Sequence, residues 1–268
     1  MKHLLIIILA CAISGSVTLA NTLTVGTGQT YTTIQSAINA ASVGDTIKVL
    51  PGIYNEAINI NKNVVVQGSG YETTRIMSAN DPTITMSTGK IMWFSITSTA
   101  GDGASVSGGI ITNCVIAGCA RNGVFFPNPS TGSIKNCVLI GNAGYGAKSA
   151  SWSSNGSAVN CIGWKNGGYN DFGSLAGVTY CDGSVNGSGS NNINSDPMFV
   201  SGNDFHIPPT SPCYQTGNPA DVNPDGSRSD MGYFGGSDCP IYPVVTKVVI
   251  IPSGNGQVQI QATAQANY

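Results

Sequence analysis

The chain has 268 residues, a net charge of −2 and only 9% charged residues, with 35 Gly and 8 Cys. It lacks the basic stripe that nucleic-acid binding needs, so nucleic acid is excluded as a partner. It is too apolar and too weakly charged for a disordered chain, which fails to fold for want of apolar surface.

Residues 1–20 read as a secretory signal peptide. Lys2 and His3 form a short basic start, Leu4 to Ala10 an apolar core, and Thr18-Leu19-Ala20 a cleavage site. The unbroken apolar stretch is too short to span a bilayer, and no later segment is apolar enough, so no transmembrane span is expected. The protein is expected to be secreted, extracellular or held at the cell surface.

Leu23 to Val25 is the first predicted strand. Thr32 or Thr33 can cap a helix running through Ala41, with Ile34, Ala37, Ile38 and Ala41 at the i, i+3, i+4, i+7 spacing of one apolar face. Strands are predicted at Thr46 to Leu50, stopped by the Pro51-Gly52 turn, and at Ile58 to Ile60, Val64 to Val66, Ile84 to Met86 and Ile91 to Ile96.

A short phrase then returns three times: Asn113-Cys114-Val115-Ile116, Asn136-Cys137-Val138-Leu139 and Asn160-Cys161-Ile162-Gly163. The cysteines are 23 and 24 residues apart, and the register extends back to Phe94-Ser95-Ile96 and forward to Tyr180-Cys181. A fixed period in the low twenties marks a solenoid with one coil per repeat. Leu is too scarce for a leucine-rich repeat, and a propeller blade needs roughly 40 residues. What remains is an all-β, parallel β-helix of roughly eight coils between residues 21 and 195, at the ~4.8 Å strand spacing. The helix near Thr33 then reads as an N-terminal cap over the first coil, where it covers an apolar end and free strand edges.

Fixed offsets carry side-chain expectations. Asn142 and Asn166, five residues after Cys137 and Cys161, can form a ladder of hydrogen bonds up the stack. Gly123 and Gly146, nine residues after Cys114 and Cys137, are expected to supply positive φ at corners. Cys114, Cys137, Cys161 and Cys181 read as small apolar interior groups. No cysteine has zinc-ligand spacing. Cys213 and Cys239 fall outside the repeat and are available to form a bridge, but sequence alone fixes no connectivity.

Around Ser195 the period stops. Asp196-Pro197, Pro208-Pro209, Pro212 and Pro224 break regular strands, and this stretch is expected to wrap the far end of the helix as an irregular C-terminal cap. The β-helix domain with its caps is therefore assigned to 21–237. Residues 238–268 form a linker and a β-hairpin, Val244 to Ile251 and Gln257 to Thr263. The hairpin either docks on the rod or begins a second β domain.

With those residues in hand, the chain resembles the right-handed parallel β-helix proteins of the pectin-lyase-like superfamily, in their secreted bacterial form. The opening Tyr31 to Ile38 and Pro51 to Glu56 are typical of its first coils. Asp196-Pro197-Met198-Phe199, Ser211-Pro212-Cys213 and Asp225 to Gly232 look like its closing segment. The resemblance covers about residues 22 to 237 and implies a fold rather than an activity, because the superfamily mixes lyases, hydrolases, esterases and non-catalytic surface proteins.

Gly52-Ile53-Tyr54-Asn55-Glu56 matches a phrase of pectin methylesterases. Those enzymes also need two aspartates in fixed contexts and an Arg in a later coil. The nearest fragment here, Asp171-Phe172-Gly173, lacks the second aromatic, so the phrase reads as a tight turn with a packed Tyr54 and a solvated Glu56. A hydrolase would cluster aspartates on successive coils, yet Gly108 to Gly177 holds only Asp171. A lyase needs a base and calcium-binding carboxylates. Arg121, Lys135, Lys148 and Lys165 can supply the base, whereas Asp102 and Asp182 stand isolated in the sequence. Arg121, Lys165 and Asp171 are the catalytic candidates.

Tyr145, Trp152, Trp164 and Tyr169, with Phe172, fall on or near two successive coils, where rings flanked by Asn can stack on sugar faces. Asp221-Val222-Asn223-Pro224-Asp225-Gly226 matches the first half of a calcium loop, with Asp230 as a further oxygen donor. No other cofactor is called for. The expected function is a non-catalytic polysaccharide-binding or surface module. The alternative is a pectate-lyase-like polysaccharide-degrading enzyme.

Overall fold

The computed structural model describes residues 20–168, 170–186, 189–240, 242–253 and 257–267, with backbone only from 242 onward. The signal-peptide reading of 1–20 therefore falls almost wholly outside the described residues. No helix among them is long and apolar enough to cross a membrane.

The chain is a parallel β-solenoid of about seven turns. Three parallel sheets form its walls. Sheet A has nine strands, from Thr22–Val25 to Gly189–Ser190; sheet B has six, from Gly52–Asn55 to Ile162–Trp164; sheet C has seven, from Ile58–Ile60 to Val185–Asn186. A representative coil runs through Ile110–Thr112 in sheet A, Val115–Ala117 in sheet B and Val124–Phe126 in sheet C. The turn count falls short of eight because the last pass, from Gly177–Thr179 to Gly189–Ser190, is a short partial coil.

Stacking follows from register. Ile47, Val66, Ile91, Ile111, Ile134, Ala158 and Val178 are successive partners up sheet A, and all are fully buried. Each coil so adds an apolar side chain, branched in all but Ala158, to one continuous column. Cys114, Cys137, Cys161 and Cys181 are buried at 0% exposure, as the repeat implied.

The expected strand Ile91 to Ile96 is two strands, Lys90–Met92 and Ser95–Ser98. Between them Trp93 has φ 70°, and Asn113, Asn136, Asn160 and Tyr180 repeat this left-handed corner at 44°, 48°, 53° and 53°. Asn tolerates this region better than most residues, so the Asn of the repeated phrase is the corner. Gly123 and Gly146 are not at positive φ. They are glycine because a Cβ on Gly123 would lie 2.5 Å from the Gly146 carbonyl oxygen, and one on Gly146 would lie 2.9 Å from that of Asp171.

The helix spans Ile34–Ala40 with Thr33 as N-cap, its side chain accepting from the Ser36 N–H. It buries Ile34, Ala37 and Ile38 and touches the first strands of sheets A and C. Glu56 is half-buried and engaged rather than free in solvent. Its carboxylate accepts from the N–H groups of Ile34 (2.7 Å) and Gln35 (3.0 Å). Lys62 Nζ donates to the carbonyls of Ile38, Asn39 and Ala41. The second coil thus places an anion at the helix N-terminus and a cation at its C-terminus, where unpaired backbone groups and the dipole favour them.

The irregular segment from Asp196 to Pro240 is held against the side of the solenoid. It runs back along the solenoid as a strap over the outer face of sheet B. There Val115, Val138 and Ile162 join Tyr71, Phe205, Cys213, Met231, Tyr233 and Phe234 in a second apolar core. Corner asparagines hold it: Asn113 Nδ2 donates to the carbonyls of Tyr233 (2.6 Å) and Gly235 (2.8 Å), and Asn136 Nδ2 to that of Asp230 (3.0 Å). Asn160 Oδ1 accepts from Asn218 N–H at 2.7 Å. Lys90 pairs with Asp238 and Lys135 with Asp221, both at 2.6 Å. Cys213 and Cys239 are free and buried. The Cys213 thiol bonds to the Asp182 carboxylate at 3.0 Å rather than to a second sulfur.

Candidate functional site

The residues singled out in the sequence lie in separate places along the solenoid and the strap. Trp164 and Lys165 stand at the end of the last strand of sheet B, where the strap passes. With Ile140, Gly141, Asp196, Phe199, Ser201 and Gly202 they line a cleft of about 450 Å³. The Lys165 ammonium lies 5.9 Å from the Trp164 ring centroid, and Lys165 takes φ 54°, at the corner position that Gly118 and Gly141 fill in earlier coils. A lysine thus stands in the cleft lining at a position where earlier coils have Gly. Asp196, Phe199 and Ser201 were not anticipated, because they come from an aperiodic segment whose path no repeat reveals.

Tyr145 lies in the turn just before the sheet C strand Ala147–Ser149. Its ring lies against Gly173, where a Cβ would come within 2.6 Å of it, and Lys148 Nζ sits 4.8 Å from its centroid. Trp152, 51% exposed, is in the loop that leaves sheet C after Ala147–Ser149. Phe172 is a core residue. Tyr169 lies outside the described residues.

Asp171 is committed within its turn: Oδ1 accepts from Asn166 Nδ2 (2.8 Å), and Oδ2 from the N–H (3.0 Å) and hydroxyl (2.8 Å) of Ser184. Asn166 Oδ1 in turn accepts from Asn142 Nδ2 at 2.9 Å, the ladder expected from the five-residue offset.

Arg121 is far from carboxylate-free. Its Nε and Nη2 reach Asp102 at 2.8 and 2.6 Å, and Nη2 reaches Asp81 at 2.9 Å. Asp102, expected to be isolated, has a side chain only 3% exposed and also accepts from the Asn122 backbone and side-chain N–H groups. Asp81, Asp102 and Arg121 therefore stack on three successive turns between sheets B and C. The 21-residue spacing of Asp81 and Asp102 was the signal in the sequence. The two carboxylates push the guanidinium pKa upward, which fixes its charge.

The residues read as a calcium loop are engaged in the strap. Asp221 accepts from Lys135 and Asn160, Asn223 Oδ1 from Asp230 N–H and Gly236 N–H, Asp225 from Ser227, and Asp230 Oδ1 from Gln215 N–H at 2.6 Å. A calcium ion would have to displace these bonds. Among the described residues no group of three or more His, Cys, Asp and Glu side chains is placed to hold a metal ion. Burial raises the Asp230 carboxyl to about 6, which disfavours its anionic form.

The chain is similar to solved structures of pectin methylesterases. The enzyme from Aspergillus niger aligns over 60% of this chain and 76% of its own, at 19% identity and TM-score 0.41. The carrot enzyme aligns over 69% and 80%, at 14% identity and TM-score 0.41. PemA of Erwinia chrysanthemi aligns over 72% and 75%, at 14% identity and TM-score 0.36. At these values the likeness carries no argument about activity. No protein-family model and no curated protein sequence matches the chain.

Proposed function

We propose that this is a secreted, non-catalytic β-helix module that binds polysaccharide in the cleft between sheet B and the strap. The observation that carries the reading is the convergence of Trp164, Lys165, Asp196 and Ser201 on one concavity of about 450 Å³, a size within the range of small-ligand sites. An indole offers an apolar platform for a sugar face, and the ammonium, carboxylate and hydroxyl offer donors and acceptors for its rim. Asp171, the carboxylate of the same coil, is already satisfied within the fold, which supports binding over turnover.

Calorimetric titration with uronate-containing and neutral oligosaccharides tests it. Trp164→Ala is expected to weaken binding at least tenfold with unchanged circular dichroism. Equal affinity of the variant and the parent would overturn the assignment of the cleft.

A second reading, a polysaccharide-acting enzyme, draws on one observation: Arg121 binds two carboxylates from the two preceding coils, and Asp81 is 35% exposed at its side chain. Its test is methanol release from methyl-esterified pectin, alongside ultraviolet absorbance of unsaturated product from polygalacturonate with calcium. Turnover abolished by Asp81→Asn would establish it against the binding-only reading.

A further inference from the structure

Among the described residues the first coil has no sheet B strand. At its level sheet A has Thr22–Val25, and the helix Ile34–Ala40 lies against the sheet C strand Ile58–Ile60. Sheet B begins one coil later, at Gly52–Asn55, a terminal strand that pairs with Thr74–Ser78. The segment between Val25 and Ile34 does not fill the gap. It folds on itself, with the Gly26 N–H donating to the Tyr31 carbonyl (2.9 Å) and the Gln29 N–H to that of Gly26 (3.1 Å). A cleft of about 380 Å³ remains, whose lining includes Thr27, Thr32, Thr33, Ile53, Asn55 and Glu56.

Ladder geometry decides what faces this cleft. The Gly52 N–H donates to the Thr73 carbonyl at 2.9 Å, and Gly52 and Tyr54 stand opposite Thr74 and Ile76. Successive residues of a strand turn their backbone groups to opposite sides, so Ile53 and Asn55 turn theirs away from Thr74–Ser78. Among the described residues no hydrogen bond reaches the N–H or the carbonyl of either one. Sheet C closes the same kind of edge with a side chain. Gln35 Oε1 accepts from the Asn59 N–H (2.6 Å), and Gln35 Nε2 donates to the Asn59 carbonyl (3.5 Å). The sheet B edge lacks such a plug, and Ile53 is 63% exposed.

We propose that this gap is a docking site for an extended peptide, which adds the missing sheet B rung. The open groups select the occupant. Two N–H and two C=O groups repeat at a two-residue spacing of ~6.6 Å, and a guest strand carries the matching groups at the same repeat. Glycan hydroxyls have no such fixed repeat. The side chain of Ile53 stands beside the guest and favours an aliphatic or β-branched neighbour. Glu56 already holds the N–H groups of Ile34 and Gln35, and every other lining residue is uncharged, so an uncharged peptide fits. The site lies at the opposite end of sheet B from the Trp164 cleft and does not depend on the polysaccharide reading.

Amide exchange and titration of the full chain by nuclear magnetic resonance test this, with an acetylated, amidated peptide of alternating Val and Thr as the probe. In the free chain the Ile53 and Asn55 amides are expected to exchange quickly and the Tyr54 amide slowly. The probe is expected to bind with a dissociation constant of roughly 0.1–1 mM, since one short edge offers few main-chain bonds. At about ten times that concentration it should slow exchange at Ile53 and Asn55 about tenfold. Ile53→Pro removes a donor that the sheet does not use, and is expected to weaken binding about tenfold with unchanged circular dichroism. The same peptide N-methylated at every amide leaves the protein untouched and is expected not to bind. Trp164→Ala is expected to keep the parent affinity for the probe. Slow exchange of Ile53 and Asn55 in the free chain overturns the inference, because the edge is then already filled. So do equal affinities for the probe and its N-methylated form, and unmoved Ile53 and Asn55 amides at millimolar probe. Protection of these amides by oligosaccharides but not by the peptide overturns it as well.

Discussion

Removing one corner amide tests how the strap is held. Asn136 is 1% exposed, sits at φ 48°, and donates through Nδ2 to Ser229 Oγ and to the carbonyls of Asp230 and Gly232. Asn136→Gly keeps the left-handed corner and loses only the bonds. Leaving buried acceptors without their donor costs about 1–3 kcal/mol. Asn136→Ala loses the same bonds and also forces an ordinary residue into the left-handed region, a further ~1 kcal/mol or more, for a total of about 2–4 kcal/mol. Asn136→Asp sets an acceptor against two carbonyls and is expected to be at least as costly as Ala. Urea unfolding gives the stability order parent, Gly, Ala, and limited proteolysis reports faster nicking between Asp196 and Pro240 in all three variants. An Asn136→Ala variant as stable as the parent, with a protease-resistant strap, would refute the reasoning.

The remaining expectations concern charge and the interior. Asp230 has a folded pKa of about 6 against an ordinary 3.8. Its contribution is therefore fully present below about 3.8 and is lost as pH rises through about 6. The difference amounts to about 3 kcal/mol, and denaturant midpoints measured from pH 4 to 8 should lose this component of their slope in Asp230→Asn. Arg121→Ala strands Asp102 in its buried turn and should cost about 2–3 kcal/mol by calorimetry. That is less than for a fully buried pair, because the Arg121 side chain is 55% exposed. Arg121→Lys, which lacks the fork that spans both carboxylates, should recover only part. Burial raises the Cys114 thiol to about 12 and the Cys119 thiol to about 11. A thiol-disulfide reagent at pH 8 should therefore label neither in the native protein and both in denaturant. Gly123→Ala should lower the melting temperature through its contact with the Gly146 carbonyl, and rapid labelling or an unchanged melt would count against the packing described here.

The solenoid was legible in the chain because stacking is periodic. Cys114, Cys137 and Cys161 must each face the same narrow interior, so the fold writes its repeat length into the sequence. Asn142 over Asn166 was readable for the same reason. Even so, the period names a position without naming its role. Asn113, Asn136 and Asn160 recur at the corner, yet what their amides bind comes from residues 218–235, which have no period.

Sequence by itself determined the architecture and the interior, since a rod of stacked strands repeats the same local physics in each coil. Only tertiary structure decided three things: that Glu56 and Lys62 clamp the helix, that Arg121 gathers Asp81 and Asp102, and that Trp164 and Lys165 share a cleft with Asp196. Each of these joins residues from different coils, or from coil and strap. The physical reason is that a buried or half-buried polar group must find a partner wherever the folded chain brings one, and an aperiodic segment carries no record in its own sequence of where it will lie.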